Sequence, residues 1–209
     1  MNSPIYIATR IAFLIFIISC YKLYVPNFRN IFNDVIERIK KCYRLNLNQE
    51  KRKKLLWKDL IELHKNENWN YTIHDNTWCM ESLIQNNKNQ INRYFYSIYK
   101  DKFYSRVKVI HDFPEDLTTN LFILATHINN ILNEGIIHIN IENKYIEYSK
   151  SENIIVPLIH QQALKNQIIL HYSASQKIQW AFEELINRNE EPVLIFAELM
   201  NLLDQEDVN

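Results

Sequence analysis

The sequence predicts an α+β domain, in which an antiparallel sheet of a four-strand meander plus a hairpin packs against helices, preceded by a single transmembrane helix. Three observations carry this reading. The apolar period drops from 3.6 residues to 2 at Trp69 and returns to 3.6 after Pro114. One uninterrupted apolar run, Ile11 to Cys20, stands near the amino end. Of 209 residues, 47% are apolar and 23% charged, so most of the chain can bury a core in water.

The apolar run extends from Pro4 to Val25 as PIYIATRIAFLIFIISCYKLYV, 22 residues. At 1.5 Å rise per residue it reaches about 33 Å, enough for a bilayer core of ~30 Å. Arg10 is placed to snorkel, and Tyr6, Tyr21 and Tyr24 stand where belt residues stand. A retained anchor competes with a cleaved signal peptide and with a lipoprotein box at Ile17-Ile18-Ser19-Cys20. The charges that follow favour the anchor. Ten bases and three acids occupy residues 22–54, against one base, Arg10, before the run, so the carboxyl-terminal domain is expected to stay on the cytosolic or stromal side. Residues 55–209 carry thirteen bases and twenty-one acids, which makes a basic neck on an acidic domain although the net charge is zero. Three widely spaced cysteines, Cys20, Cys42 and Cys79, suggest no disulfide framework. The expected divisions are 1–25 anchor, 26–65 neck, 66–190 domain and 191–209 carboxyl-terminal helix and acidic tail.

The neck begins with Phe28, Ile31, Phe32, Val35, Ile36, Ile39 and Tyr43 at helical spacing, with Arg29, Arg38, Lys40, Lys41 and Arg44 on the other side. Such a helix suits an anionic membrane surface, and equally suits packing on the domain with a solvated basic side. Lys51 to Lys54 opens a second helix reaching about His64, with Leu56, Leu60 and Leu63 on one side. Nucleic acid is set aside as a partner because the domain is acidic.

Strands follow from Trp69. Trp69, Tyr71 and Ile73 alternate, Asp75-Asn76 turns, and Trp78, Met80, Ser82 and Ile84 alternate again. Gln85 to Gln90 is a loop, Ile91 to Tyr99 a strand, Lys100-Asp101 a turn, and Lys102 to about Phe113 a fourth strand. Pro114, with Glu115 and Asp116 behind it, opens a helix whose stripe is Leu117, Leu121, Leu124, Ala125, Ile128 and Leu132. Gly135, the one glycine in the chain, is expected to end that helix in a left-handed conformation. Strands at 136–141 and 145–150 form the hairpin. Helices are expected after Pro157, from Ser173 with Gln176 in capping-box spacing, and after Pro192.

Four strands, then FPEDLTTNLFILATHINNILNEGIIHINIENKYIEYSK (Phe113 to Lys150), then helices, resembles the YbjN family. The residues that carry this are Asn129, Asn130, Gly135 and Tyr145-Ile146-Glu147-Tyr148, with Trp69-Asn70-Tyr71 and Tyr94 to Tyr99 before them, over residues 66–188. The resemblance implies a fold like that of type III secretion chaperones and a module that binds other proteins, without a known catalytic site. It also implies a version like those of cyanobacteria, and the excess of Ile and Asn fits an A/T-rich plastid genome.

One glycine excludes the P-loop, the dinucleotide fingerprint and the nucleophile elbow. Among seven histidines there is no HExxH. A zinc site from His64, His74 and Cys79, or a thiol nucleophile at Cys79 with His74 or His111 as base, is outweighed by a small strand thiol and ordinary imidazoles. His127 reads as a boundary residue of its helix. No catalytic, cofactor-binding or metal-binding residue and no cofactor is assigned. The expected function is a membrane-tethered interaction or chaperone-like module, with a thiol-dependent enzyme at Cys79 as the alternative. Its expected partners are another protein, the membrane through residues 4–25, anionic lipid at the neck, and in one open alternative a second copy.

Overall fold

The computed structural model describes residues 28–74, 78–85 and 91–206. The described residues divide into two units, one ending at Leu47 and one beginning at Asn48. In the first, α1 (Phe28–Leu45) is a single amphipathic helix.

The second unit starts with α2 (Gln49–Asn66), capped by Asn48, whose side chain accepts the Lys51 N–H. Its Leu56 and Leu60 are fully buried. Six strands follow: β1 (Asn70–His74), β2 (Cys79–Gln85), β3 (Ile91–Tyr99), β4 (Lys102–Ile110), β5 (Ile136–Asn140) and β6 (Tyr145–Asn153). Among the described residues they make one antiparallel sheet in the order β1-β2-β3-β4-β6-β5. The hairpin therefore joins the meander through β6, leaving β5 at the edge. Between β4 and β5 runs α3 (Thr118–Ile131), and after the sheet come α4 (Ile155–Ile159), α5 (Gln161–Arg188) and α6 (Pro192–Glu206).

Strand alternation puts Met80, Tyr94, Tyr96, Ile98, Phe103, Val107, Ile146 and Tyr148 on one face, all buried beneath the helices. The long helix α5 seats on this face through polar groups. Tyr94 Oη lies 2.8 Å from Ser175 Oγ, and Asn92 Nδ2 donates to Gln179 Oε1 at 2.7 Å. Each buried polar atom that meets a partner avoids the ~1–3 kcal/mol cost of going without, so these pairs also fix where along the sheet α5 sits. They explain why no helix begins at Ser173: α5 runs unbroken through it, and Gln176 turns inward to Tyr94 instead of capping.

The stripe Leu117, Leu121, Leu124, Ala125 and Ile128 is buried as the spacing predicts, with the first turn, Glu115–Leu117, wound as a 3-10 helix. Gly135 does not end this helix. The helix closes at Leu132 in an extended conformation, three residues earlier. Gly135, at φ +93°, instead passes against β6, where an added Cβ would stand 2.7 Å from Tyr148 Cε2 and 2.9 Å from the Ser149 carbonyl oxygen. Elsewhere Asn68, Trp78, Lys100, Lys144 and Asn189 take positive φ, each at a steric cost that glycine would not meet.

The single transmembrane helix in the expected architecture is corrected here. No helix among the described residues is long and apolar enough to cross a membrane. The long helices carry too many charges to cross: α1 holds Asp34, Glu37, Arg38, Lys40, Lys41 and Arg44, and α5 holds Lys165, Lys177, Glu183, Glu184 and Arg188. The predicted span, residues 4–25, lies outside the described residues, and the single-pass membrane localisation built on it falls with it.

Candidate docking face

In the second unit the helices pack on one side of the sheet, against β3, β4, β5 and β6. The opposite side is open, and its side chains line up in rows set by the register. One row crosses all six strands: Thr72, Glu81, Phe95, Arg106, Ser149, Ile136. A second runs His74, Cys79, Ser97, Tyr104, Ser151. The face carries the bases Arg93, Lys102, Arg106 and Lys108 and the acids Glu81 and Glu147. Glu81 is held by Arg93 at 3.3 Å and by His74 Nε2 at 3.3 Å, while Glu147 faces Lys108 across the β4–β6 pair. Lys108 also sits 4.0 Å over the Tyr145 ring. Arg106, exposed on β4 beside the half-buried Phe95 and Tyr104, marks the middle of the face.

The histidines and cysteine singled out by the sequence are dispersed across this sheet. His64 lies on the helical side, fully buried, with Nδ1 donating to the Leu60 carbonyl at 2.9 Å and Trp69, Tyr71 and Tyr96 set edge-on around it. Burial lowers its pKa, with the Leu60 bond opposing. The sheet itself separates it from His74 and Cys79, and no cluster among the described residues could hold a metal ion. His74 and Cys79 do meet, as register partners on the open face. Burial pushes the Cys79 thiol up, Arg106 pulls it back in part, and Glu81 pushes it further, so the site disfavours thiolate. His111 follows the end of β4, seven residues beyond Tyr104 in the Cys79 row, which at ~3.3 Å per residue and two strands to the side puts it well over ~20 Å from the thiol. His127 is half-buried and stacks on Phe196 of α6 at 5.2 Å.

Two polar arrangements escaped the sequence reading. At the β5 edge, Asn129 of α3 uses its whole amide on one residue: Oδ1 accepts the Ile137 N–H at 2.8 Å and Nδ2 donates to the Ile137 carbonyl at 3.2 Å. This blocks the outer edge of that strand. Beneath α5, the buried Lys150 ammonium is paired with Glu134 and Glu152, and Gln167 also reaches Glu152. Burial alone would lower the lysine's pKa, but the two carboxylates more than offset it and hold it above the ordinary value. Next to it His171, stacked on Tyr148 at 4.9 Å, is driven down to about 3 by burial and then by the Lys150 charge. A lysine fixed between two acids and a histidine held neutral form a strut under the helix; no spacing in the sequence signals it.

Comparison with known proteins adds no relative: no protein-family model, no curated protein and no solved structure matches the chain.

Proposed function

We propose that the chain is a protein-interaction module, chaperone-like in kind and without catalytic chemistry of its own, and that it binds an acidic segment of a partner protein on the open face of its sheet. The observation that carries this reading is Arg106, exposed at the middle of a broad, unroofed sheet, with Phe95 opposite it on β3 and Tyr104 two residues away on its own strand. Arginine and aromatic residues supply much of the energy of protein interfaces, and the face carries twice as many bases as acids in a domain that is otherwise acidic. A contact between two copies centred here would bring Arg106 close to its own equivalent across the two-fold axis, which disfavours a homodimer on this face. The burial that pushes the Cys79 thiol up, away from thiolate, supports the same choice over the thiol enzyme. The YbjN resemblance enters as part of this proposal, through a protein-binding role.

The test compares proteins captured by the wild-type chain, by Arg106→Glu, and by Gln162→Glu on the helical side. A partner that is lost with Arg106→Glu, kept by Gln162→Glu, and found to bind through an acidic segment supports the reading. Partners unchanged by Arg106→Glu overturn it. A Cys79→Ala variant that loses a measurable turnover would establish the enzyme instead.

A further inference from the structure

The first unit carries a second surface. On α1, Val35, Ile39 and Tyr43 are 47%, 62% and 65% exposed, a stripe of large apolar side chains on one side of a helix. At roughly 100° per residue, Arg38 and Lys40 fall about 100° to either side of the stripe's centre, whereas Asp34 and Glu37 fall about 150° away, near the far pole. Lys41 and Arg44 fall at the back with the acids, so the helix is apolar in the middle, has one base at each margin and is charged at the far side. This is the order of a helix lying in a lipid–water interface, where the marginal basic side chains reach up to phosphates while the stripe enters the acyl boundary.

A second copy of the helix suits the stripe less well. Both margins are basic, so two such helices seam to seam would set like charges against each other in either direction. A soluble polyanion would use the bases and leave the stripe in water. We infer that α1 docks in the plane of an anionic lipid surface, without spanning it, and that this contact is independent of the partner site on the sheet.

The probe is the full chain mixed with sedimentable vesicles of phosphatidylcholine alone or of phosphatidylcholine with phosphatidylglycerol. Binding is expected on the anionic vesicles and is expected to fall with added salt. Ile39→Gln keeps a good helix former at the stripe's centre and should lower the partition several-fold, while Arg38→Glu should lower it roughly fivefold or more, since each base near such a surface is worth about that factor. Glu37→Gln removes an acid and frees Lys40 from its 2.8 Å pair with Glu37, so it should strengthen the partition. Sensitivity to Arg38→Glu with none to Ile39→Gln overturns the inference in favour of a soluble polyanion such as nucleic acid. Equal binding to neutral vesicles, insensitive to both variants, overturns it as well. Arg106→Glu should leave vesicle binding intact, which separates this result from any failure of the partner-binding reading.

Discussion

The two faces of the sheet are made by the same strands from the same residue types, yet they obey different rules. On β3, Tyr94, Tyr96 and Ile98 go under the helices while Phe95 and Ser97 stay on the open side; on β4, Phe103 and Val107 are buried while Tyr104 and Arg106 are not. Once covered, a polar atom left without a partner costs stability. Tyr94 has Ser175, Asn92 has Gln179, and Lys150 has two carboxylates. A few atoms there have none, among them His64 Nε2 and Tyr96 Oη. On the open face the polar groups are solvated whether or not they pair. The covered face therefore pays for every mismatch with stability, and the open face is free to be shaped by what it binds.

The largest effect that would test this contrast comes from truncating an aromatic on each side. Phe103→Ala, removing a fully buried ring stacked on Tyr96, is expected to cost about 3–5 kcal/mol in denaturant unfolding. Phe95→Ala, one strand away but facing out, should cost no more than about 1 kcal/mol and should show itself in partner binding. Equal losses would mean that something covers the open face.

A smaller but substantial loss is expected at Gly135. Any side chain there meets both a positive φ and a backbone oxygen at 2.9 Å, so Gly135→Ala should cost about 2 kcal/mol. Gly135→Asn should do no better, because the clash with β6 cancels the tolerance of asparagine for left-handed backbone. A well-tolerated asparagine would return the residue to the role of a simple turn.

The smallest effect per step is a slope with pH, absent at neutral pH and accumulating only on acidification. The folded chain keeps His171 neutral down to about pH 3, whereas the unfolded chain protonates it near 6.5. Below 6.5 the unfolded state therefore holds more protons, and each unit of acidification lowers stability by up to about 1.4 kcal/mol from this residue. His171→Phe keeps a ring against Tyr148 and should flatten that slope between pH 6.5 and 3, leaving the parts that His64 and His111, both also lowered by burial, contribute in the same direction. An unchanged slope would show that acid acts on the fold elsewhere.

What the sequence determined by itself is the local part of this protein. Period-2 runs with Lys100-Asp101 and Glu142-Asn143-Lys144 between them specify strands and turns, and Leu117 to Ile128 specifies one buried helix face, because these patterns depend only on residues a few positions apart. The tertiary structure alone decided the rest. Placing β6 inside and β5 at the edge followed from which distant strand closes on β4, and α5 continued through Ser173 because Tyr94, some eighty residues earlier, needed Ser175. Gly135 was legible as a constrained position but not for its reason, since the reason is the backbone of β6 pressed against it. The docking face was legible only in part. Tyr104 and Arg106 stand two apart on one strand and the Lys100-Asp101 turn sets Phe95 opposite Arg106, but Ser149 and Ile136 join that row only through the pairing of β4 with β6 and of β6 with β5.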